Sequence, residues 1–161
     1  MNDVLDFYVI EFATFNECCD EFLHSGVTPL DSTDPAVMTL NKFAAALKQS
    51  TIAKDKVYFE FLISPTPKRE ELENLNHCVL SYNEYCENHD YYLGRWCVDN
   101  QDILYKKGKF AKENSKGFIG SDIDLIDRDD KCKCGNKYIT FYMLLAGYDN
   151  ANDPLTCIAF N

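Results

Sequence analysis

The chain has no GxxxxGK[ST] phosphate loop, no GxGxxG dinucleotide turn, no HExxH zinc helix and no GxSxG nucleophile elbow. Those absences remove the commonest nucleotide-binding and hydrolase chemistries. Histidine is scarce: His24, His77 and His89 are the only imidazoles available to activate a cysteine nucleophile. His77 and Cys78 are sequence neighbours, and on a helix neighbours point in different directions. No catalytic residue is assigned.

Long apolar runs are missing too, so nothing in the sequence is long enough to cross a bilayer. The opening residues, Met1 to Asp6, lack the basic start and apolar stretch of a secretory signal. On that reading the chain is cytoplasmic, and its eight cysteines are reduced thiols, several buried as small hydrophobes. Positive charge is in deficit: 16 Lys and Arg against 26 Asp and Glu leave a net charge of -10. This opposes direct binding to nucleic acid phosphates or anionic membranes and favours a basic protein partner.

What is present belongs to a folded protein. The 161 residues are 46% hydrophobic and 14% aromatic, with 11 Phe and 10 Tyr, far more than a disordered acidic chain carries. A single globular domain over 1–161 is expected, without disulfides or metal needed to complete its core.

Residues 6–13 read as a first strand. Thr14 and Glu17 have the form of a capping box that opens a helix stopping at Gly26. Asp34-Pro35 predicts a second helix to about Gln49, with Val37, Leu40, Ala44 and Leu47 turned to the core. Residues 56–63 form a central strand. Thr66-Pro67 then begins a long helix to about His89, with Leu72, Leu75, Val79, Tyr82 and Cys86 on one stripe. From Tyr92 the pattern predicts a hairpin over residues 92–105, a mobile connection at 114–120, a strand at 122–126, another at 138–145 and a last one at 156–160. The expected class is α+β with a mixed sheet, in the order β-α-α-β-α(long)-β-β-β-β-β, the later strands forming an antiparallel meander.

Cys132-Lys133-Cys134-Gly135 resembles half of a zinc knuckle with a spacing one residue short. Cys86 and His89, one helical turn apart, would complete a tetrahedral zinc site with Cys132 and Cys134 if the fold gathers all four. Otherwise the two later cysteines sit at an exposed hairpin tip and the protein needs no cofactor. The run Asp122, Asp124, Asp127, Asp129, Asp130 offers carboxylates for a hard cation but lacks the glycine and terminal glutamate of an EF-hand loop. Its alternation predicts an amphipathic strand with a solvated acidic face.

Charge is uneven, at -6 through Asp55, -3 from Lys56 to Val98, +2 from Asp99 to Ser121 and -3 thereafter. The acidic outer parts supply the candidate partner-binding residues Asp3, Asp6, Glu17, Asp20, Glu21, Asp31, Asp34, Asp122, Asp124 and Asp127. The functional expectation is a non-enzymatic acidic protein that inhibits or neutralises a basic partner, such as a toxin, a nuclease or another nucleic-acid-binding protein. Carboxylates spaced like phosphates would do this by nucleic-acid mimicry. The alternative is a small enzyme with a dispersed carboxylate or thiol site at Asp122, Asp124, Asp127, Cys132 and Cys134. Residues 57–96, a strand, a proline-started acidic helix and Tyr91-Tyr92-Leu93-Gly94-Arg95-Trp96, resemble a ribonuclease-regulator family of small acidic inhibitors, and no residue roles are carried over from it.

Overall fold

Alternating burial along Val57–Leu62, where Val57, Phe59 and Phe61 are buried and Tyr58, Glu60 and Leu62 are half-buried, marks a strand covered on one face and partly screened on the other. A computed structural model describes residues 4–13, 15–73, 79–152 and 155–161. Its elements run β1 (Tyr8–Glu11), α1 (Leu40–Gln49), β2 (Val57–Leu62), β3 (Thr66–Pro67), α2 (Arg69–Leu72), α3 (Tyr82–Glu87), α4 (His89–Tyr92), β4 (Trp96–Cys97), α5 (Gln101–Asn114), β5 (Gly117–Ser121) and α6 (Ile139–Tyr148). Single 3-10 turns occupy Asp20–Phe22, Lys54–Lys56, Ile123–Leu125 and Ile158–Phe160.

Helices and sheets are both present, as the mixed class requires. The main sheet has the order β1-β2-β5 and is parallel throughout, pairing Tyr8 with Val57 and Tyr58 with Gly117. β2 is the central strand, as its apolar run predicts. Parallel neighbours need crossover connections, and α1 and α5 supply them. Antiparallel pairing among the described residues is limited to the short β3-β4 pair and an isolated bridge between Ser25 and Asp99.

The expected meander is replaced by helices. Ile103, Leu104 and Tyr105 lie in α5, started by Asn100, whose side-chain oxygen accepts the Ile103 amide at 2.9 Å. The run at 138–145 is the body of α6, a nearly all-apolar helix that packs on α5 and, through Phe141, on Phe118 of β5 while Tyr142 stays exposed. The segment expected to be a mobile connection holds β5, and residues 123–125 form a turn in place of a strand. The last expected strand is the turn Ile158–Phe160.

The helices near the front also shift. Residues 15–26 contain one 3-10 turn in place of a helix, because Cys18 is bonded to Cys97 and the Asn16 amide donates to the carbonyls of Val27 and Met38. Thr14, half of the expected capping box, lies outside the described residues. α1 starts at Thr39, whose hydroxyl accepts the Lys42 amide, while Asp34 closes a local turn by accepting the Ala36 amide. The expected long helix is α2, α3 and α4, with Leu75, His77 and Cys78 outside the described residues. α3 opens with a capping box at Ser81 and Glu84 that the sequence reading passed over.

The core gathers Phe12, Phe59, Phe61, Leu104, Phe110, Ile139, Met143 and Leu144 between the sheet and the α5–α6 layer. Phe12 packs against Phe59 and Phe61 at ring distances of 5.2 and 5.5 Å. α5 and α6 approach through two glycines. A β-carbon on Gly108 would lie 2.0 Å from the Leu144 carbonyl oxygen, and one on Gly147 would lie 1.9 Å from that of Tyr105.

Six cysteines pair as Cys18–Cys97, Cys86–Cys132 and Cys134–Cys157, against the expectation of reduced thiols. Cys19 is free and exposed.

Candidate functional site

All three main strands run the same way, so the segments leaving their carboxyl ends emerge along one edge of the sheet. In open parallel sheets this is the edge where ligands bind. The segment after β1 brings Glu17, Asp20 and Glu21, and continues to Asp31 and Asp34 ahead of α1. The segment after β5 brings Asp122 and Asp124. Sequence-distant acids thereby share one edge because the crossovers are parallel.

Local contacts hold these carboxylates. Ser32 Oγ donates to Glu21 Oε1 at 3.3 Å and accepts the Asp34 amide at 3.0 Å, tying two acids to one hydroxyl. Asn41 Nδ2 donates to Asp31 at 2.8 Å. Ser64, just past β2, donates to Asp122 at 3.3 Å, and Asp122 holds a left-handed backbone at φ 58°. Among the described residues no cation pairs with Glu21, Asp31, Asp34 or Asp122. Asp20 differs, since Lys68 forms an ion pair with it. Between the β1 and β2 exits lies a cleft of about 620 Å³ lined by Phe15, Glu17, Thr66, Arg69 and Leu72.

Two predicted partner-binding positions stand elsewhere, and a third, Asp3, lies outside the described residues. Asp6 precedes β1 and therefore sits at the opposite, amino edge, with Lys48, Lys54, Lys56, Lys112 and Lys116 and the acids Asp55 and Glu113. Asp127 is fully buried: its two carboxylate oxygens accept the amides of Lys131 and Cys132 at 2.7 and 2.9 Å. It shapes a loop and cannot face a partner.

The four residues expected to gather at a zinc ion do not form that site. Cys86 is bonded to Cys132, and Cys134 to Cys157, so the thiolates a metal requires are used in disulfides. His89 is left beside Asp90 at 3.9 Å and edge-on to Tyr85. Among the described residues no group of three or more His, Cys, Asp or Glu could hold a metal ion. The proposed dispersed enzyme site loses Cys132, Cys134 and Asp127 for the same reasons.

Sequence reasoning also passed over a buried ion pair. Lys107 Nζ donates to both oxygens of Asp99, beneath Gly26, Thr28, Ser64 and Thr66 at the carboxyl end of β2. Burial pushes the Asp99 carboxyl above its ordinary range, and Lys107 pulls it partly back. The space around the pair is only about 10 Å³, so it fills the interior and has no room for a substrate.

No family model matches the sequence, and no curated protein matches it. The ribonuclease-regulator resemblance therefore gains no support. Among solved structures the chain is similar to the Ostrinia furnacalis Group II chitinase catalytic domain 2, with a TM-score of 0.64 at 14% identity. The likeness covers 98% of this chain and 51% of that one, so the chain spans about half the length of the structure it matches. A mutant of that domain in complex with penta-N-acetylchitooctaose matches equally, with a TM-score of 0.64 at 14% identity over the same shares. At this identity the likeness concerns the fold.

Proposed function

We propose that the protein is a non-enzymatic acidic binding protein, and that the carboxyl edge of its parallel sheet takes a basic protein partner and neutralises it. The observation that carries this reading is the set Glu21, Asp31, Asp34 and Asp122, four carboxylates held by hydroxyls, amides and an Asn side chain, none of them in an ion pair among the described residues, with the nearby Lys42 ammonium bound to backbone carbonyls instead. Oriented anions of this kind raise the encounter rate with a cationic surface and set its register. If the partner is a nuclease or another nucleic-acid-binding protein, the same carboxylates would compete with phosphates for its basic surface, and inhibition would follow.

The compartment belongs to the same proposal. Three disulfides favour an oxidising setting over the cytoplasm that the sequence suggested. Affinity capture should therefore use the oxidised protein and host material from such a compartment. The expected result is a basic partner retained at low salt and released as ionic strength rises. The triple variant Glu21→Lys, Asp31→Lys, Asp34→Lys should weaken capture by about tenfold or more. Equal capture by that variant would remove the carboxyl edge from consideration.

A second reading is favoured by the chitinase-like fold: the cleft beside Phe15 binds an N-acetylglucosamine oligomer. Aromatic, carboxylate and guanidinium groups at Phe15, Glu17 and Arg69 suit a sugar. Titration with the N-acetylglucosamine pentamer, repeated with Phe15→Ala, separates the two readings, because saccharide binding would be insensitive to the triple charge reversal.

A further inference from the structure

A different part of the molecule carries a cleft whose chargeable side chains near neutral pH are lysine and histidine. This cleft, of about 660 Å³, opens between α3 and α4, the loop after β5 and the chain beyond α6. Although the protein carries a net charge of -10, no aspartate or glutamate side chain lines this cleft, whereas His24, His89, Lys131 and Lys133 all do, with the backbone of Asn161 at one edge. Its floor is apolar, built from the buried Tyr85, Val98 and Phe160. Leu93 and Ile158 flank the opening, and Ile158 is 91% exposed.

The walls are fixed covalently. Cys86–Cys132 joins α3 to the lysine-bearing loop and itself forms part of the lining. Cys134–Cys157 ties the same loop to the segment that carries Ile158 and Phe160. Binding to such a cleft orders little chain, which is the condition under which a small ligand keeps its affinity. The volume falls in the range of about 300–1,000 Å³ usual for small-molecule sites.

Beside the cleft, Lys131 is paired with Glu87 at 2.5 Å and the His89 imidazole stands 3.9 Å from Asp90, which holds both side chains at the rim. Lys133, at φ 57°, has no carboxylate partner among the described residues. The Tyr85 phenol is a neutral donor, and burial moves its pKa further up.

We infer that this cleft binds an amphipathic organic anion, its apolar body against Tyr85, Val98 and Phe160 and its acid group among Lys133, Lys131 and the two histidines. The occupant fitting this chemistry is a medium-chain carboxylate. The cleft is separate from the carboxylate set proposed to take a basic partner, so the two proposals stand or fall independently.

Calorimetric titration of the oxidised protein with decanoate tests the inference, with decyltrimethylammonium as the probe of opposite charge. Decanoate should bind saturably at one site, and the cation at least about tenfold more weakly. Lys133→Glu, at an exposed loop position, should weaken decanoate about tenfold while leaving the melting temperature unchanged. Ile158→Asp should weaken decanoate as well. In the unaltered protein, decanoate should shift the imidazole resonances of His24 and His89 together. Absence of saturable decanoate binding, equal affinity for the two amphiphiles, or binding that leaves both imidazoles unmoved would overturn the site.

Discussion

Lys107 and Asp99, eight positions apart, meet in the interior with Nζ at 2.8 and 2.6 Å from the two carboxylate oxygens, and the side chains are only 3% and 6% exposed. Such a pair adds little net stability, but losing one partner strands a buried charge. Lys107→Met should therefore lower unfolding stability by about 3–5 kcal/mol near neutral pH. Burial holds the folded-state pKa of Asp99 above its unfolded value, so the folded chain keeps a proton where the unfolded chain has lost it. Stability from this group is present below the unfolded pKa and is lost as pH rises through the folded one. Without Lys107 that window extends upward. Urea unfolding across the acid-to-neutral range should show the gap between Lys107→Met and the unaltered protein narrowing as pH falls. It should show a flatter gap for Lys107→Met combined with Asp99→Asn. A gap independent of pH in both variants would mean Asp99 does not titrate as proposed.

The three disulfides close loops of 79, 46 and 23 residues. Each should contribute about 2–5 kcal/mol by restricting the unfolded chain, and Cys18–Cys97 about 1 kcal/mol more than Cys134–Cys157 on loop length alone. Paired alanine substitutions compared by denaturant unfolding give the order. Alkylation of the native, unreduced protein should modify Cys19, while Cys18, Cys86, Cys97, Cys132, Cys134 and Cys157 should react only after reduction.

Gly108 and Gly147 set the distance between α5 and α6. Alanine normally favours a helix over glycine by about 1 kcal/mol. Here the added methyl meets backbone atoms at 2.0 and 1.9 Å, which no rotamer change relieves. Gly108→Ala and Gly147→Ala should each destabilise by about 1–3 kcal/mol, whereas alanine at the exposed Lys109 should be nearly neutral. Thermal melts of the three variants check the contrast.

Much of the first half of the fold was readable because its signals are local. Residues 56–63 are a short run rich in β-branched and aromatic residues that ends before Pro65, and Val57–Leu62 within it is the central strand. Leu40 and Ala44 do turn to the core. The second half misled for a physical reason. A short run such as Ile139–Tyr148 is apolar on nearly all sides whether it is a strand in a sheet or a helix packed on its neighbours, so periodicity carries no information there. Gly108, just past the hairpin expected over residues 92–105, marks a close helix approach. The cysteines show the limit most sharply: Cys132 and Cys134 look like a ligand pair in one dimension, but they are bonded to different partners 46 and 23 residues away. The carboxyl-edge acids were identified as residues, but their shared placement depends on strand direction, which their sequence does not contain.

That placement divides the acidic run after β5 into two kinds of carboxylate. Asp122 and Asp124 are exposed, whereas Asp127 is fully buried and accepts the Lys131 and Cys132 amides while its own carbonyl accepts the Tyr138 amide at 2.9 Å. Asp127→Asn replaces one acceptor oxygen with a donor facing an amide N–H, and leaving that buried donor unsatisfied should cost about 1–3 kcal/mol. The same change should also slow formation of Cys86–Cys132, because the Asp127 carboxylate positions the Cys132 backbone. Asp122→Asn and Asp124→Asn should stay within about 0.5 kcal/mol of the unaltered protein. Their effect should appear in partner capture, where each removes negative charge from the carboxyl edge. Parallel measurement of unfolding stability, disulfide formation on refolding and salt-dependent capture for the three variants separates structural from docking roles. If Asp127→Asn left stability and disulfide formation unchanged while weakening capture, the assignment of Asp127 as a loop-shaping residue would be wrong.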